Sequence, residues 1–213
     1  AYEDNLTHSG IQGITATKSL DVAKIVLDTL LARKIDINAK SKEGIVPLMY
    51  AAHSNQPALY DYAKQRGATF NSKDQNAVVT MLCNACIYKT NINPTATNAN
   101  MFGKICKEEN IKVTSELVNT PSLEGDLLLV AASSSDNLKA FKEIMGVTKD
   151  VNIDDASKVR PIVWSVIYAN RTIANTLLDA GAEVDKETIK QAKKSFKGNK
   201  ELIKKFETAT KVE

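Results

Sequence analysis

Apolar residues recur along this chain at three- and four-residue spacing, in short blocks. Val22, Ile25, Val26, Leu30 and Leu31 form one block, and Ile173, Ala174, Leu177 and Leu178 another. Met101, Phe102, Ile105 and Cys106 give a third. Such spacing places each set on one face of an α-helix. Near the end of the chain Ile189, Ala192 and Phe196 fit one helix face, Gly198-Asn199 interrupts it, and Leu202, Ile203 and Phe206 mark a second helix. The pattern predicts an all-α chain of short amphipathic helices joined by turns.

The blocks keep a long-range phase. Asn38, Asn71, Asn119, Asn152 and Asp185 each follow an apolar residue, and the gaps between them are 33, 48, 33 and 33 residues. Two further markers share this phase. Pro47 lies nine residues after Asn38 and Pro161 nine after Asn152, while Gly67-Ala68 and Gly181-Ala182 begin four residues before Asn71 and Asp185. Fixed periods of this length signal stacked supersecondary units.

The segments Val46-Pro47-Leu48-Met49-Tyr50-Ala51-Ala52 and Gly181-Ala182-Glu183-Val184-Asp185 resemble the helix start and the closing turn of the ankyrin repeat. The similarity covers roughly residues 5–185. It implies a single solenoid domain of about five helical hairpins, with repeats near 5–37, 38–70, 71–118, 119–151 and 152–184 and a Lys-rich C-terminal cap over 185–213. The match is degenerate. Thr80-Met81-Leu82-Cys83-Asn84-Ala85-Cys86 lacks the Pro, and so does Leu127-Leu128-Leu129-Val130-Ala131-Ala132. The 48-residue gap holds about 15 inserted residues between Cys86 and Asn119. Asn91 to Asn98 reads as a loop within it, with Thr95 or Thr97 as a candidate cap for the next helix.

The physics of such a unit accounts for its residues. Pro suits the first turn of a helix, where its missing N–H has no partner to lose. Small residues such as Ala51-Ala52 let paired helices approach. Gly67 and Gly181 suit the left-handed turn that closes a helix. Each hairpin then exposes an apolar face that only a neighbour can bury.

Charge changes the picture only at the C-terminus. The net formal charge is +3, too small to imply a nucleic-acid partner. Residues 185–213 nevertheless carry nine Lys against five acidic residues. Interspersed Glu187, Glu201 and Glu207 favour a solvated cap face over an anion-binding patch. No run of about eighteen apolar residues is present, so no membrane-spanning helix is expected. The chain starts with Ala, as a fragment or processed form would, which leaves the compartment open.

Candidate chemistry is sparse. Cys83 and Cys86 form a C-x-x-C, but both fall in an expected helix and no second pair completes a zinc site. Buried, reduced thiols are expected. His8 and His53 lie far apart in the repeat scheme, Trp164 reads as core, and Ser133-Ser134-Ser135 has no triad partners. No phosphate-cradling glycine motif occurs. A protein without catalytic function, cofactor or metal is expected.

The family resemblance implies a concave face built from turn tips and from the exposed side of each first helix. In the second repeat this selects Lys42, Glu43, Ile45, His53 and Ser54; in the third Gln75, Asn76, Val78 and Tyr88. In the fourth it selects Leu123, Glu124, Asp126, Ser134 and Ser135; in the fifth Ala156, Ser157, Val159, Ile167 and Tyr168. Ile45, Val78 and Val159 occupy one tip position, an apolar row suited to an interface with Tyr88 and Tyr168 as anchors. A monomer that binds a protein partner is expected. The alternative is a stoichiometric inhibitor or immunity-type partner of an enzyme.

Overall fold

Twelve helices and no β-strand form among the described residues, 20–53, 56–86 and 100–209, of a computed structural model. Five helix pairs follow one another: α2 (Pro47–His53) with α3 (Pro57–Gln65), α4 (Gln75–Cys86) with α5 (Met101–Glu108), α7 (Leu128–Ser133) with α8 (Leu138–Met145), α9 (Pro161–Ile167) with α10 (Arg171–Asp179), and α11 (Lys186–Ser195) with α12 (Lys200–Thr208). Two helices stand outside these pairs: α1 (Leu20–Ala32), which packs on α3, and the short α6 (Ser115–Asn119). The first helices α2, α4, α7, α9 and α11 pack in chain order and form an inner row. The second helices form an outer row, seen in the packing of α1 on α3 and of α10 on α12. A single contiguous core runs the length of the stack, from Ala23 to Phe206.

Local chemistry sets the helix ends. Pro47, Pro57 and Pro161 open three helices. The side-chain oxygens of Asn100, Asn137, Asn170 and Asn199 accept from the N–H groups of Gly103, Ala140, Ile173 and Leu202, each at 3.1 Å, and so cap α5, α8, α10 and α12. Asn100 thus takes the capping role expected of Thr95 or Thr97, which lie outside the described residues. The outer helices α1, α3, α5 and α10 end in a left-handed residue: Lys34, Gly67, Asn110 and Gly181 have φ of 60°, 93°, 53° and 89°. The N–H of the next residue then reaches back to Leu30, Ala63, Cys106 or Leu177 O.

Two markers 114 residues apart do the same work. Asp36 Oδ1 accepts from Asn38 N–H and Asp150 Oδ1 from Asn152 N–H, both at 2.8 Å. Asn38 then bridges to the next turn, donating to Gly67 O (3.0 Å) and accepting from Thr69 N–H (2.7 Å). Asn152 repeats this with Gly181 O (3.2 Å) and Glu183 N–H (2.8 Å). Asn119 does not. It ends α6, and its side chain donates to Ser115 O in the same helix.

The tips vary separately. Ser41 Oγ accepts from Glu43 and Ile45 N–H, and Ser122 Oγ accepts from Glu124 and Asp126 N–H, in two loops of the same form. Gly44 and Gly125 supply the positive φ of 88° that closes each loop. The fifth repeat closes its loop with Lys158 at φ 56°, Val159 N–H donating to Asp155 Oδ1, whereas Ala77, at the matching position of the third, is helical. Asp74 Oδ1 instead accepts from Asn76 and Ala77 N–H, as a helix cap. The tip becomes the first turn of α4, which is 12 residues long against 7 in α2 and α9.

The insertion falls in two places. Twenty-six residues separate Ser41 from Gly67 and Asp155 from Gly181, but 36 separate Asp74 from Asn110. Seven residues separate Gly67 from Asp74, but 12 separate Asn110 from Ser122, and α6 lies there. The segment after α6 packs against the start of α4. Asn76 Nδ2 donates to Pro121 O (2.8 Å), and Leu123 N–H donates to Thr80 Oγ1 (2.8 Å). Leu123 also extends toward Gly44, whose Cβ, if present, would lie 3.6 Å from its Cδ1. It occupies the space beside the missing tip.

The C-terminal segment is a whole hairpin, with the break at Gly198-Asn199 between its two helices. Phe196 and Phe206, both fully buried, stack at 5.8 Å between α11 and α12. Asn38→Ala and Asn152→Ala should each lower stability by about 1–2 kcal/mol, because each loses two hydrogen bonds between successive turns. Asn119→Ala should stay within about 0.5 kcal/mol. Urea denaturation of the three variants checks the contrast, and equal effects would contradict it.

Candidate partner-binding surface

The tips and inner helices divide the expected site residues into exposed, packed and undescribed groups. Lys42, Glu43, Gln75, Glu124, Ala156 and Ser157 are exposed. His53, Asn76, Leu123, Asp126, Ser134 and Val159 are half-buried. Ser54 and Tyr88 lie outside the described residues.

Three expected contacts are removed by burial. Ile45 is 3% exposed and Val78 5%, both inside the core. Ile45 follows the tip and turns inward ahead of α2. Val78 is buried because its tip has become helix. Ser135 is 2% exposed, with its hydroxyl donating to Ala132 O at the end of α7. The apolar row at one tip position is therefore a packing feature, with Val159 alone partly open.

Among the described residues, large exposed apolar side chains lie at two places: Val22 and Ile25 on α1, and the end of α9. Ile167 is 51% exposed and Tyr168 47%. Trp164, expected in the core, is half-buried and stacks on Tyr168 with centroids 5.9 Å apart and planes 23° apart. Its indole Nε1 is shielded from solvent and has no hydrogen-bond acceptor among the described residues. The three residues stand at i, i+3 and i+4, one stripe of one helix. That spacing was readable in the sequence, but the small residues around Trp164 suggested packing.

The thiols are internal. Cys83 and Cys86 are buried, Cys106 is half-buried, and all three are free. Burial pushes each thiol upward, Cys106 to about 12. Among the described residues no group of three or more His, Cys, Asp or Glu is placed to hold a metal.

Ion pairs tie the outer row together. Lys64 pairs with Glu109 and Glu108, Lys104 with Asp61 at 2.8 Å, and Arg66 with Asp28 at 3.1 Å. Tyr60 is fully buried beneath this cluster, and its hydroxyl donates to Glu109 Oε1 at 3.4 Å. These partly exposed pairs contribute about 0–1 kcal/mol each and act as register marks more than as glue. No helix among the described residues is long and apolar enough to cross a membrane.

No protein-family model matches the sequence, and no curated protein matches it.

Two carboxylates give opposite pH signatures. Desolvation, and then Asp155, raise Asp126 above the usual carboxylate range, so its ionised form opposes folding. That cost is absent below the unfolded pKa of about 3.9 and complete above the folded one. Asp126→Asn should therefore raise the melting temperature at neutral pH, with the gain fading in acid. Asp185 is lowered, chiefly by Thr188 N–H, whose bond to Oδ1 measures 2.6 Å. Its contribution is present above the unfolded pKa and is lost as pH falls through the folded one. Asp185→Ala should cost about 1 kcal/mol at neutral pH, as loss of a helix cap does, and less in acid. Melting curves from pH 2 to 8 read both signs.

The thiols give a second test. Cys106 should react with a thiol reagent in the native protein well before Cys83 and Cys86, which should react at the unfolding rate. Equal rates for all three would contradict the packing of α4.

Proposed function

We propose that this chain is a non-catalytic protein–protein interaction module: an ankyrin-type solenoid that binds a partner protein through the concave side of its stacked hairpins. Three features support the repeat reading. The hairpins stack in chain order, with first helices on first helices. Asn38 and Asn152 make the same bridge between turns. The loops at Ser41 and Ser122 share one hydrogen-bond pattern.

The single observation that carries the binding reading is the exposed stripe on α9. Ile167 and Tyr168 are open, and Trp164 backs Tyr168 as a rigid stacked support. Large apolar side chains at the end of an inner helix add nothing to the core when half exposed. Aromatic residues held rigid on a scaffold are the usual anchors of protein interfaces, since they bury much area at little entropic cost. Tip residues Lys42, Glu43, Glu124 and Ser157 supply a polar rim.

The test is capture of the partner on the full chain, followed by alanine substitution. Tyr168→Ala should weaken the complex by about 2 kcal/mol or more, as a hot-spot aromatic does, and Ile167→Ala by about 1 kcal/mol or more. The helical circular dichroism should not change. Unaltered affinity in both variants would place the interface elsewhere. If the captured partner is an enzyme blocked one-to-one, the module is an inhibitor using the same surface.

A further inference from the structure

The α9 stripe does not stand alone. Asn170 Nδ2, just after α9, donates to Ser135 O and Asp136 Oδ1 in the turn after α7, so successive inner turns lie side by side on one edge of the stack. The same alignment holds one hairpin further on. Lys205 of α12 bonds Asn175 Oδ1 at 2.8 Å and Asp179 Oδ1 at 2.5 Å, and α12 packs on α10 as α11 packs on α9. The turn after α11 is thus the neighbour of the turn that carries Tyr168.

That neighbouring turn is ringed with lysines. Lys194, Lys197, Lys200 and Lys204 are exposed, and none pairs with a carboxylate among the described residues. The nearby carboxylates are engaged otherwise: Glu187 by Lys190, Glu207 by Lys193 and Asp179 by Lys205. Glu201 pairs with none of the four. Folding explains one of these charges, since Lys194 sits in the last turn of α11, where a cation is favoured. It does not explain Lys200, the first residue of α12, where a cation opposes the helix dipole. Like charges gathered around one turn also repel. A local rule broken without compensation within the fold marks a place where function decides the residue.

We propose that the partner's docking element is an acidic polypeptide segment bearing an apolar or aromatic residue. This residue seats on Ile167 and Tyr168, and the flanking carboxylates face Lys194, Lys197, Lys200 and Lys204. The proposal rests on the protein-binding reading above and adds the chemistry of the partner. Charge complementarity favours an acidic ligand. The adjacent apolar stripe favours a polypeptide over a bare polyanion. All four basic residues are Lys, and residues 185–213 contain no Arg, the side chain suited to gripping phosphate by two parallel bonds. Hydrated point charges of this kind form a steering rim for carboxylates.

The full chain, immobilised, is panned against random twelve-residue peptides displayed on phage. The expected winners carry Asp or Glu around a Leu, Phe or Trp. Titration of the leading peptide should shift the emission of Trp164, the one tryptophan in the chain. Its affinity should fall at least about tenfold between about 50 mM and 500 mM salt, and by a similar factor in the Lys197→Glu/Lys200→Glu double variant. Melting curves confirm that the variant is folded. Selection of neutral or basic peptides, selection of none, or an unchanged affinity in the double variant overturns the proposal. So does equal competition by polyglutamate without an apolar residue, by duplex DNA or by phosphatidylserine vesicles. Neutral apolar peptides that lose affinity in Tyr168→Ala but not in the lysine variant would leave the protein-binding reading standing and remove only the acidic partner. Peptides indifferent to both sets of variants would remove both.

Discussion

Each hairpin of this chain has an apolar side that it cannot bury by itself. Leu48 and Met49 of α2, Met81 and Leu82 of α4, Leu128 and Leu129 of α7, and Ile162 and Val166 of α9 are all fully buried, yet each helix is only 6 to 12 residues long. Isolated helices this short are not stable in water. They exist because the preceding and following hairpins cover them. Stability is then a sum over neighbours rather than a property of one central core. The 33-residue phase follows: a unit that slips out of phase leaves two faces uncovered, its own and its neighbour's.

The third repeat shows how far one unit can depart while that constraint still holds. It lacks the tip loop, carries ten extra residues between Asp74 and Asn110, and five more before Ser122. Its inner helix nonetheless sits between α2 and α7, with nine of its twelve residues buried. The lost tip is replaced from downstream. Pro121 and Leu123 bond to Asn76 and Thr80, and Leu123 reaches toward Gly44 of the second repeat. The ion pairs between Lys64, Lys104 and the carboxylates Asp61, Glu108 and Glu109 hold α5 in register with α3 on the outer side. Inner packing is kept, and variation is confined to the two ends of the helices.

This division decides what could be read from the sequence. Helix faces and turn glycines were legible, because burial and positive φ restrict the residue type directly: Ile173 and Leu177 are fully buried, and Gly67 and Gly181 are left-handed as their spacing implied. Asn38 and Asn152 were legible as markers, but Asn119 shares their spacing without their bonds, since spacing records phase and not partners. Ile45 and Val78 were misread for a related reason. An apolar residue at a tip looks like surface until the chain turns inward there, as at Ile45, or the tip winds into helix, as at Val78. That second change moved a residue expected on the binding face into the core. Trp164 erred the other way. Its neighbours Ser165 and Val166 are buried, while its own side chain lies across the exposed end of α9.

A neighbour-by-neighbour fold also separates recognition from stability. The turns after α9 and α11 are held by backbone hydrogen bonds and by the caps Asn170 and Asn199, none of which involves the exposed side chains. The residues that fix this edge, Ala174, Leu177, Phe196 and Phe206, are fully buried beneath it. Side chains on the edge can therefore change to suit a partner without disturbing the packing that presents them. The insertion repeat lies toward the opposite end of the stack, with α7 between α4 and α9. Each hairpin contacts only its neighbours, so variation in the insertion repeat does not disturb the packing beneath this edge. The unmatched lysine at the start of α12 persists under the same logic, because its unfavourable field acts on one terminal helix and costs the rest of the array nothing.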